Sequence, residues 1–376
     1  MTKKFSFGEN WHKFTNESFS KERLNISTRE LLNSLRLENL EEKTFIDIGC
    51  GSGIHSMSAW KSRARTVLSI DIDPQSVLST LKLHELSGKP KNWEIQQGSI
   101  LDSDFISKFG NYDVVYSWGV LHHTGNRWNA LRNISSLINE NGILFIALYA
   151  DEMYHTPSPQ FWIDIKKKYN EASTEKKTEL EEWYAWEYSL KPYVTKGINP
   201  FTAIRNYKES RGMEFWTDVR DWLGGYPMDF AKTKDVVNFF LDECGLEVLD
   251  IKTGLGNTEF IFRKKHSINY WDSILSNYEI IHLNGNIESA GGCAYKLHIP
   301  QFRNFADDDS DRYRSEMKLL EDGRMIGFAH ARHKSIGELG EGRFCHWKDD
   351  LLFSASDNSD ARTNKKKYSI RVPKKI

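Results

Sequence analysis

The sequence predicts an α/β fold: a doubly wound parallel sheet, followed by a small all-β domain. Three observations carry that expectation. The run FIDIGCGSG, residues 45–53, is an apolar strand that empties into glycines at alternate positions, Gly49, Gly51 and Gly53, ahead of a helix able to start at Ile54. Strand-then-helix patterns then recur as far as residue 150. Beyond residue 264 the character changes, and short apolar strands alternate with the turn-rich pieces NGN, ESAGG, ADDDSD, EDGR and SDNSD.

The glycine turn is the most informative stretch. Glycine is required where the backbone takes a positive φ or where a ligand presses on it. The spacing is GxGxG preceded by an acid, Asp47, rather than the GxGxxG of dinucleotide folds. An acid there opposes a pyrophosphate and suits an ammonium, whereas a helix N-terminus favours a negative group. S-adenosylmethionine carries both an amine and a carboxylate on its amino-acid end. The second strand, RTVLSIDID, delivers Asp71 to the same edge, where a carboxylate can accept both ribose hydroxyls.

FIDIGCGSG, SIDIDP and YDVVYSWGVLHHT together resemble the motifs of class I S-adenosylmethionine-dependent methyltransferases, over residues 7–264. The resemblance implies a Rossmann-like seven-stranded sheet, S-adenosylmethionine as cofactor and S-adenosylhomocysteine as product. It implies cofactor contacts from Trp11, Asp47, Gly49, Cys50, Gly51, Gly53, Asp71, Ile72, Ser99, Ile100, Ser117, Trp118 and His122. Ser99 and Ile100 match the positions that meet the adenine. Aspartate is commoner at the first of these, so serine implies a weaker or water-mediated contact.

Length and composition bound the rest. The 376 residues suggest one large and one small domain, and 39% hydrophobic content suffices for a core. Net charge is -1, from 51 basic and 52 acidic residues, so no global attraction to nucleic acid or anionic membrane is expected. The basic runs at 166–168 and 365–367 read as solvated surface. Four scattered cysteines form no metal-ligand pattern, and Cys50 reads as a small residue packed beneath the cofactor. No spanning apolar run or signal-peptide core is present, which points to a cytoplasmic protein without a membrane span. Oligomeric state is not legible.

Along the chain, residues 1–44 form an N-terminal helical lid segment. ISTRELLNSLRLENL reads as a helix capped at Ser27, with Glu30 three residues later. Trp11 and Phe14 either anchor this segment or cover the cofactor. Residues 45–264 make the cofactor-binding domain, interrupted at 151–225 by an aromatic, arginine-rich insertion placed to cap the acceptor side. A helix ended by Gly245, a strand, and an antiparallel strand at NTEFIFRK close the sheet. Residues 265–376 form the β-rich accessory domain. There Arg343, His346, Trp347 and Asn358 compose either a saccharide face or ordinary packing, and docking or dimerisation is the rival role. This part bears a vague resemblance to β-rich segments of surface-polysaccharide assembly proteins.

Methyl transfer from a sulfonium is an in-line displacement in which the protein orients the acceptor and excludes water, with a base when the acceptor is a hydroxyl. Candidate catalytic residues are His122 and His123 after the fourth strand, His155 after the fifth, and Arg211 and Tyr226 in the insertion. The histidine pair otherwise supports its loop. Arg211 and Arg220 bind an anionic acceptor, or staple the loop through Asp218 and Asp221. The expected function is O-methylation of a small-molecule or glycan-linked acceptor. A quinone, phenol or lipid acceptor and a non-catalytic scaffold are the alternatives.

Overall fold

The computed structural model describes residues 7–13, 15, 19–211, 215–253 and 256–374. These divide into two compact units, Met1–Asn139 with Thr156–Asp229, and Glu140–His155 with Phe230–Ile376.

The first unit begins with helices α1 (Phe7–Lys13) and α2 (Lys21–Leu35). Then β1 (Thr44–Ile48), α3 (Ile54–Lys61), β2 (Thr66–Asp71), α4 (Pro74–Leu86), β3 (Trp93–Gln97), α5 (Ser103–Ile106), β4 (Tyr112–Trp118) and α6 (Arg127–Ser135) alternate. β2 and β4 flank β1 in parallel, and β3 is parallel to β2. The strands are buried and mostly apolar, as a parallel sheet requires, with Asp47, Ser69, Asp71 and Ser117 as buried polar exceptions. After β5 (Ile138–Leu148), the insertion folds as α7 (Pro159–Glu171), α8 (Thr174–Tyr184), a π-helical turn (Ala185–Leu190), α9 (Lys191–Val194), α10 (Pro200–Arg211) and α11 (Phe215–Gly224). Phe215, Val219 and Leu223 of α11 pack on Tyr169, Leu180 and Ala185 to give it a core of its own.

Two expectations are corrected here. α2 starts before Ser27, at Lys21, and its cap is Ser20, whose hydroxyl accepts the Arg23 amide at 3.2 Å. The six residues before Ser27, Lys21 to Ile26, are therefore helical, and Leu24 among them is buried. The run 166–168 is not uniformly solvated: Lys166 is 1% exposed.

In the second unit α12 (Thr233–Glu243), β6 (Leu246–Thr253) and β7 (Thr258–Lys264) follow, with β7 antiparallel to both β5 and β6. Hydrogen bonding links the strands in the order β3-β2-β1-β4-β5-β7-β6, a seven-stranded Rossmann-like sheet. The order reverses between β1 and β4, and ligands bind at such switch points. The rest comprises α13 (Trp271–Leu275), β8 (Tyr278–His282), β9 (Glu288–Gly291), β10 (Ala294–His298), β11 (Lys318–Glu321), β12 (Arg324–Met325), α14 (His333–Leu339), β13 (Phe344–Trp347), β14 (Asp350–Phe353) and β15 (Tyr368–Pro373). These strands form two four-stranded sheets, β13-β14-β10-β9 and β12-β11-β15-β8, around Leu297, Phe302, Leu319, Phe353 and Ile370. Among the described residues no helix is long and apolar enough to cross a membrane.

A register shift between Val248 and Asp250 in β6 turns Asp250 inward. Its carboxylate accepts from Arg371 of β15 at 3.0 Å and pairs with Lys318 of β11 at 3.2 Å. The two cations also donate to the Leu249 and Ile251 carbonyls, at 2.6 and 2.5 Å. Asp250→Ala leaves both cations buried with one anion fewer, and is expected to lower stability by about 3–5 kcal/mol in denaturant unfolding. A loss below 1 kcal/mol would show that the cluster is solvated.

Candidate functional site

The turn after β1 is built by hydrogen bonds that only an unobstructed backbone can make. Gly49, Gly51 and Gly53 have φ of 77°, 55° and 80°. The Gly49 and Cys50 amides donate to the Ile70 carbonyl at 2.7 and 3.1 Å, pulling the turn onto the end of β2. A Cβ on Gly49 would lie 2.5 Å from Val120, and one on Gly53 2.7 Å from Thr80. Cys50 is buried beside the Thr80 hydroxyl at 3.3 Å, and burial pushes its thiol well above the usual range.

Two carboxylates meet this turn. Asp71 Oδ2 accepts the Gly51 amide at 2.9 Å, and Oδ1 accepts the Asp73 amide at 2.9 Å. Burial raises its carboxyl to about 6, against the pull of those amides. The Ile72 amide adds a smaller pull on the same carboxylate. Asp47 is 2% exposed, and its Oδ2 accepts from Ser56 of α3 at 2.6 Å. Burial raises it to about 7, with Ser56 opposing and Asp71 adding to the rise.

Around these, Ile72 is 63% exposed and Trp118 45% exposed, while Ile100 is buried and Ser99 partly so. The Ser99 hydroxyl accepts the Leu101 amide at 3.1 Å. Ser117 is fully buried, and its hydroxyl donates to the Ile48 carbonyl at 2.9 Å, a structural bond between β4 and β1. α1 lies over the turn. The Trp11 indole sits 3.0 Å from where a Gly51 Cβ would stand, and the Gly8 amide donates to Asp73 at 3.2 Å. Asn10 donates to Asp221 of α11 at 3.0 Å, and the Phe7 ring lies 4.9 Å from that of His123. Phe14 lies outside the described residues.

A second group of candidate residues gathers around the loop after β4. His123 Nδ1 donates to the Pro227 carbonyl at 2.8 Å in the tautomer that leaves the lone pair on Nε2. Burial lowers its pKa to about 3, so the imidazole is neutral at ordinary pH. His122 is fully buried and its pKa is driven well below the usual value, first by desolvation. Gly225 brings no ligand close by itself; His123 and Phe7 occupy its open side, each 3.1 Å from a notional Cβ. Arg127, 8% exposed, pairs with Asp229 at 2.8 Å and pins the same loop to α6. Tyr226 is partly buried between Gly225 and Pro227. Arg220 pairs with Glu181 at 3.6 Å, within the insertion. Arg211 ends α10, and its side chain lies outside the described residues. His155 belongs to the second unit, half-exposed and 3.9 Å from Glu338.

Lys166 of α7 went unseen in the sequence. Its ammonium donates to the Trp222 carbonyl and lies 4.0 Å from the centre of the Trp222 ring. Burial lowers its pKa to about 7, with the Asp221 charge opposing. Burial in turn lifts Asp221 to about 6. Within a KKK run nothing marks the middle of a helix's inward face except its spacing from Trp162 and Tyr169, three or four residues away.

Residues 46–144 match the family model described as a methyltransferase domain. This stretch is similar to that domain over its strand-turn-helix core. The ribosomal protein L11 methyltransferase of Psychrobacter sp. (strain PRwf-1) is 38% identical over 88 residues, 23% of this chain and 27% of that protein. A tRNA U34 carboxymethyltransferase of Methylococcus capsulatus is 26% identical over 107 residues, 28% of this chain and 32% of that protein. The chain thus spans only about a quarter to a third of those relatives' length. Magnesium protoporphyrin IX methyltransferase of Synechocystis PCC 6803 with bound SAH aligns at 12% identity and TM-score 0.40, over 68% of this chain and 94% of that one.

Outside residues 46–144, two of the four residues expected on a saccharide face are closed in, while Trp347 is partly buried and Asn358 exposed. His346 and Arg343 are 1% and 4% exposed; His346 Nδ1 bonds the Ser315 hydroxyl at 2.9 Å, and Arg343 donates to the Gly340 carbonyl at 3.1 Å. Asn358 bonds the Glu341 amide and the Leu339 carbonyl at 2.6 and 3.1 Å. Packing and turn chemistry account for these three.

Gly49→Ala meets Val120 as well as the strain of a positive φ, whereas Gly245→Ala, at φ 66° with nothing within 4 Å, meets strain alone. Gly245→Ala is expected to lose about 1–2 kcal/mol in chemical denaturation, and Gly49→Ala clearly more. Equal losses would mean that Val120 yields freely.

Proposed function

We propose that this chain is an S-adenosylmethionine-dependent methyltransferase acting at oxygen on a small-molecule acceptor. The observation that carries the reading is the cradle itself: three positive-φ glycines, with the Asp71 carboxylate bonded to the turn and Asp47 buried in the strand that leads into it. Asp71 retains acceptor capacity for a pair of ribose hydroxyls, and Asp47 offers a charge to an ammonium. Ile72, Ile100 and Ser99 supply the wall for an adenine, and Trp11 of α1 covers the amino-acid end. Bound there, S-adenosylmethionine supplies a methyl group on a sulfonium, already activated for displacement.

On the acceptor side the chain's own part is placement. Neutral His123, held through Nδ1, presents Nε2 as a hydrogen-bond acceptor for a hydroxyl. A ring with a pKa of about 3 orients such a hydroxyl better than it strips it, so an acidic, phenol-like hydroxyl suits this site best. The glycan-linked acceptor loses its support with the burial of Arg343 and His346. The stretches shared with the ribosomal protein L11 methyltransferase and the tRNA-modifying enzyme are too short to carry an acceptor across.

Incubation with methyl-labelled S-adenosylmethionine and fractionated host metabolites, proteins and RNA tests the reading. Label in a small-molecule fraction supports it; label only in protein or RNA reassigns the acceptor, and absence of cofactor binding removes the function. Asp71→Asn removes one charged acceptor and is expected to weaken S-adenosylhomocysteine binding roughly tenfold by calorimetry. Unchanged affinity in the folded variant would displace Asp71 from the ribose.

A further inference from the structure

Beneath the cradle runs a chain of buried polar groups that a sheet interior has no need of. The register pairs Asp47 of β1 with Ser69 of β2, and Ser69 with Ile95 of β3. Because side chains alternate along a strand, Trp93, two residues before Ile95, shares their face. α3 covers that face and adds Ser56. The four groups are linked in series: Trp93 Nε1 to Ser69 Oγ at 2.8 Å, Ser69 Oγ to Ser56 Oγ at 2.7 Å, and Ser56 Oγ to Asp47 Oδ2 at 2.6 Å. Exposure is 3%, 0%, 0% and 2% along the series.

Chemistry fixes its direction. An indole N–H donates and never accepts, so Ser69 receives that proton and turns its own toward Ser56. Ser56 in turn directs its proton to Asp47. A one-way series ending on an oxygen favours an ionised, acceptor-only carboxylate, and in a buried setting successive donors polarise one another. We propose that Trp93, Ser69 and Ser56 act as positioning residues that hold Asp47 in its charged form and aim it for the ammonium of the cofactor. This rests on the proposed cofactor site and adds three residues that do not touch the ligand.

The groups around Asp47 set the balance. Asp71 at the end of β2 and Cys50 in the turn face it, and its own burial and Asp71 push it up to about 7 while Ser56 holds it down. His55, beside Ser56 on α3, packs on Tyr116 and Trp118 of β4 and is kept neutral by burial, its pKa lowered to about 4. Asp47 therefore titrates near neutrality in the free protein. Cofactor binding strengthens as pH rises through that point, and below it binding releases a proton.

The test uses the full chain and S-adenosylhomocysteine, whose amine lies beside no sulfonium and stays charged across neutral pH. Affinity is measured by calorimetry between pH 6 and 8.5, and Asp47 is followed by carboxyl 13C NMR in the free protein, assigned with Asp47→Asn. In Ser56→Ala the midpoint is expected to rise by ~1 unit and the affinity at pH 7 to fall ~5–10-fold, with the deficit shrinking as pH rises. Trp93→Phe keeps the ring and removes only the donor, and is expected to move both in the same direction by ~2–3-fold in affinity. A purely structural role would weaken binding equally at every pH. Variants that bind with wild-type pH profiles, and leave the Asp47 midpoint in place, overturn the proposal. A shifted midpoint in a protein that binds no S-adenosylhomocysteine sustains the series and overturns the cofactor reading instead.

Discussion

The bond from the Gly51 amide to the Asp71 carboxylate is the constraint on which the cofactor-binding half depends. It joins the turn after β1 to the end of β2, beside the two amide bonds to the Ile70 carbonyl. A buried carboxylate survives there because backbone amides offset its desolvation, and the amides are available because glycine leaves the backbone bare. The same bonds hold the turn open-faced at the switch point between β1 and β4, where the strand order requires a ligand to bind.

The elements around the turn follow from that arrangement. α1 brings Trp11 to Gly51, Asn10 to Asp221 and Phe7 to His123, so one short helix touches the glycine turn and the loop after β4 together. The loop after α11 is fixed by the Pro227 carbonyl and by Arg127 on Asp229, which leaves His123 a single tautomer. Lys166 and Asp221 bring opposite charges to the same region, at pKa values displaced toward each other. Such displaced groups collect at functional sites more often than elsewhere. In the second unit the comparable device is Asp250, a bulged residue of β6 that ties β11 and β15 to the sheet edge.

Local pattern decided what was legible in advance. Phe45–Gly53 and Asp71 announced the sheet, its turn and its ligand class, because strand alternation, glycine spacing and an acid at a strand end are properties of neighbouring residues. The antiparallel β7 was expected as well, whereas the order of the strands became visible only in the structure. The helix start at Lys21 was missed because Ser27, with Glu30 three residues later, offers a plausible cap further in. β11 and β13 hid in turn-rich sequence, since four-residue strands leave too short a pattern to read.

Taken alone, the sequence determined the fold class, the glycine turn after β1 and the likeness to a methyltransferase domain. Only the tertiary structure decided which side of a residue faces inward and what it meets there. It buried Lys166 within a lysine run, closed His346 and Arg343 into the β domain, and lined up Trp93, Ser69 and Ser56 behind Asp47. The reason is physical: these outcomes depend on contacts between residues tens of positions apart, whose burial and hydrogen bonding are fixed when strands and helices pack and not by their neighbours in the chain.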